Sequence, residues 1–492
     1  MRKLKFTLIT GFLFLGFISI YGQASLIVPP GTKVTVGTGT TLDIGGDKLL
    51  LQDDGSTVPS FLQYGSLTFS GGGKAYVEQY LTKDRWHMVA SPVSDEVIEA
   101  YLWNYLAQFD ETTGTWAYLN LPTTVPLNVG EGYFAWNYTT DPNGQWPPSP
   151  DSVVFDGTLN YQSLNITLSN TDVSPQSGWN LLGNPFPVAI EWNLHADWNL
   201  NNVDNTIYLY DSQGGNYVTW NGSTGTNPNG GFISATQGFW VRADDTTGTA
   251  ASLTIPASQR FHNNAAFLKS GGSSIPNQLY LTVEGNERVD RTLIGFTEDA
   301  TGGFDSKYDG IYRKAFEDIL SLYSVVHSKK YALNELSSVK EFPIVSLYFE
   351  PVQSGTFTLS AKWIESFPED LPIYLEDKKV NIYQNLREQS SYTFKSDSGD
   401  DFNRFAIHFV APFVSEDLME YVNIFSWDKT VYVDIPFETA GHIIIYDITG
   451  RKIAEDGATV GRNEIRLNIS NGNYIVKLLA PEGVVTKKVY IK

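Results

Sequence analysis

Residues 86–92 read Trp86-His87-Met88-Val89-Ala90-Ser91-Pro92, and residues 179–185 read Trp179-Asn180-Leu181-Leu182-Gly183-Asn184-Pro185. In both, a tryptophan opens a short apolar run that a proline closes, which is the length and punctuation of a strand and not of a helix. Downstream, QFDETTGTWAYL (Gln108 to Leu119) matches LYDSQGGNYVTW (Leu209 to Trp220): an apolar strand, an Asp, a glycine-bearing turn and an aromatic return strand. Gly130-Glu131-Gly132-Tyr133-Phe134-Ala135-Trp136 then matches Thr236-Gln237-Gly238-Phe239-Trp240-Val241-Arg242. Three blocks recurring in one order define two copies of a β-module, residues 82–170 and 171–262, expected to pack about a pseudo-twofold. Most of the chain's 12 tryptophans fall between Trp86 and Trp240, so its aromatic weight sits in this duplication.

Working outward, residues 25–81 alternate short apolar and polar runs between Gly, Pro and Asp, which predicts an array of short strands, open to stacking as a miniature solenoid. Helix is scarce. Ser94-Asp95-Glu96 can cap a short stretch carrying Val97, Ile98, Tyr101, Leu102 and Tyr105, and AIEWNLHADWNL occupies the same place in the second copy. Residues 263–276 are a Gly/Ser-rich linker. Over 277–412, strands such as LYLTVEG, RTLIGFTED, PIVSLYFEP, GTFTLSAKW and RFAIHFV recur at the spacing of a β-sandwich, expected to be antiparallel with one polar face. The fold class is all-β and multidomain: a strand array, a duplicated module, a β-sandwich and an immunoglobulin-like sandwich over 413–492.

The 492 residues are enough for several cores. Without cysteine, disulfides, thiolate metal sites and cysteine nucleophiles are excluded. The net charge of −20 argues against nucleic acid and anionic membrane surfaces. Arg2, Lys3 and Lys5 precede an apolar run from Phe6 to Ile20, and Gly22-Gln23-Ala24 offers a cut after Ala24, so residues 1–24 read as a secretory signal peptide. Its removal takes three basic residues and no acids, changing −20 to −23.

In the last eighty or so residues, Tyr446-Asp447 with Thr449-Gly450-Arg451, then Asn471-Gly472-Asn473-Tyr474 leading an apolar strand, and a final strand carrying Lys487-Lys488-Val489 resemble the type A C-terminal sorting domain of the type IX secretion system. The resemblance makes Asp447, Gly450, Gly472, Tyr474 and Lys488 the sorting-motif residues. It implies export by the signal peptide, passage of the outer membrane with this domain engaged by the type IX machinery, and then release or attachment to surface lipopolysaccharide. RWHMVASPV, GWNLLGNPFP, the GFD-to-YDG loop, PIYLED and RFAIHFV are also similar to modules of large exported proteins of the Bacteroidetes, which supplies architecture and not chemistry.

Aromatic side chains suit sugar rings, with a flat apolar face and a polar handle. Trp86, Trp179, Tyr133, Phe134, Phe239 and Trp240 are expected in the core, whereas Trp146 in NGQWPPSP and Trp220 before NGSTGTNPNGG stand beside long polar loops and are the candidate ligand contacts. The loop TEDATGGFDSKYDG gathers Glu298, Asp299, Asp305 and Asp309 as calcium candidates, but it lacks the alternating acids and bidentate Glu of a calcium loop, so a solvated turn is favoured. Histidines 87, 195, 262, 327, 408 and 442 are scattered outside any metal spacing. No GxSxG elbow occurs, SSVK at Ser337 to Lys340 lacks its partner motifs, and Asp397-Ser398-Gly399 reads as a hairpin turn. No cofactor is indicated. The reading is a secreted or surface, non-enzymatic structural or adhesive protein whose loops contact glycan or protein. The alternative is a polysaccharide hydrolase using paired carboxylates of residues 82–262. Deleting residues 414–492 is expected to strand the protein in the periplasm, as read by fractionation and surface protease accessibility; a truncated chain displayed normally would contradict the sorting assignment.

Overall fold

The computed structural model describes residues 18–20, 25–46, 48–119, 124–171, 176–194, 196–244, 250–262, 275–411, 422–435, 441–480 and 483–492. They form two compact units, residues 1–409 and 410–492. The expected leader, with Ala24, lies outside the described residues apart from the strand Ile18–Ile20, which runs parallel to Thr41–Ile44.

The first unit begins with a parallel stack. Leu26 pairs with Leu49 and Leu49 with Ala75; Val34 pairs with Phe61; Leu42 pairs with Leu67. Each face gains a rung for roughly every 25 residues, the periodicity of a small β-solenoid. Val28, Val36, Ile44, Leu49, Leu51 and Phe61 fill its interior, which is why an apolar residue recurs in each short strand between glycine turns.

The last rung, Lys74–Tyr80, is also the lead strand of the first module, because it pairs antiparallel with Ser152–Leu159. In the second copy Leu164–Leu168 pairs antiparallel with Ala251–Ile255 in the same way. The modules therefore start earlier than the expected 82 and 171, since their lead strands carry no tryptophan to mark them. Between lead and return strands each copy holds a four-stranded antiparallel sheet of the same order. In the first, Arg85–Ala90 lies beside Gly132–Asn137, then Tyr105–Asp110, then Thr115–Tyr118; in the second, Trp179–Gly183 lies beside Gly238–Arg242, then Ile207–Tyr210, then Tyr217–Trp220. The expected helices shrink to single 3₁₀ turns, Ile98–Tyr101 and Ala196–Trp198, as the chain must re-enter a strand at Tyr105.

The copies meet with reciprocal contacts, as a twofold requires. Val89 bridges Gln237 while its counterpart Leu182 bridges Glu131, and the Ala90 N–H donates to the Thr236 carbonyl (2.8 Å) while the Gly183 N–H donates to Gly130 (2.9 Å). Backbones this close leave no space for side chains. A Cβ on Gly132 would stand 2.3 Å from the Leu182 carbonyl oxygen, and one on Gly183 would stand 2.2 Å from the Ala90 Cβ.

Residues 278–408 form one continuous sheet curled on itself. Phe349 lies 5.0 Å from Phe357 and 5.1 Å from Phe394, and Phe394 lies 4.8 Å from Phe405, so strands distant in the sheet order share a core. The expected antiparallel arrangement holds except that Arg288–Phe296 and Lys329–Leu336 run parallel, an exception that strand patterning does not encode. This body packs on the second module and is not a detached domain. The Tyr280 hydroxyl donates to the Thr226 carbonyl, Arg291 pairs with Asp211 at 2.9 Å, and Asn216 donates to the Tyr312 hydroxyl at 2.9 Å. Arg313 reaches furthest, its guanidinium lying over Trp240, Trp179 and, from the first copy, Phe109.

The second unit is a two-sheet sandwich of three and four antiparallel strands around Ile424, Val433, Ile443, Ile445, Val476 and Leu478. For the pseudo-twofold, Gly132→Ala is expected to cost about 1–3 kcal/mol by overpacking, whereas Gly399→Ala, with open space at its Cβ, is expected to be neutral. Urea unfolding of both variants measures the difference, and equal midpoints would show the interface to be slack.

Candidate functional site, an aromatic cleft

In the first module, Trp86 pairs across strands with Trp136, Trp136 with Tyr105, and Tyr118 with Ala107. Strand neighbours point to opposite faces. Leu106 and Ala135 enter the core beneath, so Trp86, Tyr105, Tyr118 and Trp136 stand together on the outer face. With Trp146, Pro142 and Asn143 from the following loop they line an open cleft of about 470 Å³. Tyr118 is 60% exposed, and Trp86, Trp136 and Trp146 are half-buried.

Asp141 holds the rings in place. Its carboxylate accepts the Tyr105 hydroxyl at 2.6 Å and the backbone N–H groups of Asn143, Gln145 and Trp146 at 3.1, 2.7 and 2.9 Å. These bonds, the Tyr105 hydroxyl foremost, hold its pKa down to about 2, while desolvation first and then Asp141 push Tyr105 up to about 12. Trp146 thereby packs 5.5 Å from Tyr105 and 6.2 Å from Trp103. The cleft is a set of ring faces, and no acidic residue is among its described lining, so the paired carboxylates of a glycosidase are not found there.

Of the two candidate tryptophans, Trp146 is in the cleft and Trp220 is not. The indole N–H of Trp220 donates to the Trp192 carbonyl at 3.1 Å, and its ring packs on the core of the second module beside Gly230 and Gly231. The loop after Trp220 folds back, Thr226 bonding Thr219, instead of standing free. Trp179, Tyr133, Phe134, Phe239 and Trp240 are buried as expected, whereas Trp86 is a cleft residue, stacked at 5.0 Å on Phe134.

The acids of the glycine loop do not converge. Glu298 and Asp299 face solvent, Asp305 accepts the Thr301 N–H, and Asp309 turns inward to accept the N–H groups of Asp305 and Glu335, both at 2.8 Å. No group of three or more metal-ligating side chains occurs among the described residues. Asp309 is thus a buried anchor and not part of a solvated turn. Of the histidines, His87 bonds the Thr82 carbonyl, His262 joins Thr35 and Ser60, His327 bonds the Gly302 carbonyl, and His408 and His442 face Glu376 and Glu455. His195 lies outside the described residues.

In the second unit, Asp447 closes the hairpin turn by accepting the Thr449 hydroxyl (2.6 Å), the N–H groups of Thr449 and Arg451, and Arg451 Nε at 3.0 Å. These bonds, Thr449 first, lower its pKa to about 2. Gly450 follows at φ +86°, a left-handed position suited to glycine. Gly472 starts the strand Gly472–Ala480, the buried Tyr474 donates to the Ser470 carbonyl at 2.8 Å, and Lys488 is exposed opposite Ile475.

Residues 14–409 match the family described as a domain of unknown function, DUF8693. The chain belongs to that family. Residues 428–492 match the secretion system C-terminal sorting domain, so this member is a type IX secretion system sorting-domain protein, directed to the cell surface or beyond. No curated protein matches the chain. Among solved structures, PorZ of Porphyromonas gingivalis, described as an essential surface component of the type IX system, is similar at 10% identity over 78% of this chain and 44% of that one, with a TM-score of 0.15. Dimeric latent PorU of the same organism gives 12%, 83%, 29% and 0.12. The chain spans less than half the length of either.

Within the family body, burial raises the carboxyls of Asp290, Asp309 and Glu335 to about 7 each. These values lie above the ordinary carboxyl pKa of about 4, so their contribution to stability is full below about 4 and is lost as pH rises through about 7. The urea midpoint is expected to fall between about pH 5 and about pH 8, with Asp309→Asn removing part of the fall. A variant with an unchanged pH slope would show that Asp309 is not among the titrating groups.

Proposed function

We propose that this is a non-enzymatic, adhesive binding protein, carried to the cell surface by its sorting domain, that engages extracellular glycan or protein through the aromatic cleft of the first module. The supporting observation is a comparison of the two copies. In the second, Trp179, Thr206, Thr219 and Arg242 occupy the places of Trp86, Tyr105, Tyr118 and Trp136, and that half of the sheet is covered. The Thr206 hydroxyl donates to the Asp309 carbonyl at 2.7 Å, the Asn205 N–H donates to Ser306, and Phe304 lies 5.8 Å from the Arg242 guanidinium. Trp179 and Trp86 are alike, but at the other three positions the open copy has Tyr105, Tyr118 and Trp136 where the covered copy has Thr206, Thr219 and Arg242, so aromatic side chains replace polar ones where the sheet is left uncovered, the distribution expected of a surface that meets a partner.

The cleft's uncharged aromatic lining favours contact over catalysis, since bond cleavage needs a nucleophile, acid or base at the reacting atoms. The full chain is expected to be retained on beads coated with extracellular polymer from its own culture, with Trp136→Ala/Trp146→Ala reducing retention about ten-fold, as removal of aromatic anchors does. Equal retention of the two proteins would remove the cleft from the function.

A further inference from the structure

Resting on the reading of the cleft as a binding site, we infer that its ligand is a neutral oligosaccharide held with its ring faces against the aromatic side chains. The lining decides the charge. Trp86, Tyr105, Tyr118, Trp136 and Trp146 offer flat rings, and no described lining residue carries a charge. In a chain of net charge −20, such a cleft gives an anionic polymer no cation to meet, and it gives a cationic one no carboxylate at the contact. The C–H face of a pyranose, by contrast, matches an apolar ring face, and its hydroxyls match the polar edge.

The donors point the same way. Inside the second module the indole N–H groups of Trp192, Trp198 and Trp220 donate to the carbonyls of Asn205, Glu191 and Trp192. Those of Trp86, Trp136 and Trp146 reach solvent with no hydrogen-bond partner among the described residues. An indole N–H is a donor with no accepting capacity, so the cleft is set for a ligand rich in acceptor oxygens. A peptide also carries carbonyl oxygens, but an added strand needs an open sheet edge and a helix needs a groove of its own width; a proline-rich segment docked on aromatic rings is the outcome that the peptide probe separates. The cleft is the face of a sheet whose ladder is already paired from Arg85–Ala90 to Thr115–Tyr118. About 470 Å³ is the size of a short segment of a glycan chain, within the roughly 300–1,000 Å³ usual for small-ligand sites. Asp141 fixes Trp146 and Tyr105 beforehand, so little side-chain freedom is lost on binding.

The full chain is titrated with cellohexaose, xylohexaose, laminarihexaose and mannohexaose, with polygalacturonate as anionic probe and a random peptide library as protein probe, following tryptophan fluorescence and calorimetry. At least one neutral hexaose is expected to bind, with less than about two-fold change in Kd between about 50 and 500 mM salt because no charge is involved. Trp146→Ala and Trp136→Ala are expected to weaken it about ten-fold or more. Tyr118→Ala, at a 60% exposed position where misfolding is not at issue, is expected to weaken it measurably, and Trp220→Phe to leave it unchanged. Binding of polygalacturonate or peptide, abolished by the same variants, would overturn the ligand class while keeping the site. A chain that binds no neutral hexaose would overturn the ligand class, and cleft variants that bind like the wild type would overturn both.

Discussion

The guanidinium of Arg313 lies 4.2 Å from the ring centroid of Trp240, 4.4 Å from Trp179 and 5.6 Å from Phe109, and it is the point at which three parts of the first unit are joined. Trp179 and Trp240 belong to the second module, Phe109 to the first, and Arg313 to the segment that crosses from the curled sheet. A desolvated cation over an aromatic face contributes about 2 kcal/mol, and here one cation is shared among rings of both copies. Burial lowers the arginine's pKa, yet a guanidinium remains charged at any physiological pH, so the link does not switch off as a lysine or histidine would. Around it Ala315 packs against the ring cluster, and Phe316 approaches Trp86, Phe134 and Tyr210, extending a single aromatic floor across the pseudo-twofold.

That floor explains how duplicated sheets came to differ. Half of it is covered by the crossing segment and by the Phe304 to Asp309 loop, and there the Thr206 hydroxyl finds a backbone acceptor and the Arg242 head pairs with the Asp204 carboxylate. The other half, at Trp86, Tyr105, Tyr118 and Trp136, is left to the solvent. Two copies of one sheet thus present one face that is an internal joint and one that is available for contact. The same β-framework serves both because the outward positions of a strand can change without disturbing the inward ones.

The all-β class, the duplication and the sorting domain were legible because each rests on local pattern: a tryptophan and a proline bounding an apolar run, or an Asp-x-Thr-Gly turn after a strand. The cleft was half legible. Trp146 stands next to Asn, Gly and Pro, and that polar setting marks it. Trp86, Tyr105 and Trp136 lie in strands whose inward residues are also apolar, so the alternation that separates faces is lost and they read as core. A count of outward positions in register, 86 with 136 and 136 with 105, is the signal that would have found them. Trp220 misled for the opposite reason, since the loop beside it closes through Thr219 and Thr226 and covers the ring. Asp309 has partners in Asp305 and Glu335, the second in another strand, and no spacing rule sees a pairing made by tertiary packing. The lead strands Lys74–Tyr80 and Leu164–Leu168 read as parts of the strand array and the first copy because they are plain polar-apolar alternations without a tryptophan to tie them to their own module.

The reciprocal seam between the modules has a bearing on how the chain reaches this state. The Ala90 N–H bonds the Thr236 carbonyl, and Val89 bridges Gln237, so the exposed rim of the first module is completed by residues about 150 positions later in the chain. Such non-local pairing makes for slow folding. A chain emerging from its N-terminus would present the Arg85–Ala90 rim with unsatisfied amides until the second module had followed, a span in which that rim is open to pairing with other chains. Without cysteine there is no covalent crosslink to hold the halves in readiness. Acquisition of the native state therefore hinges on the second copy arriving before a stranger does, and the strong like charge of the chain, which keeps neighbouring molecules apart, protects that interval.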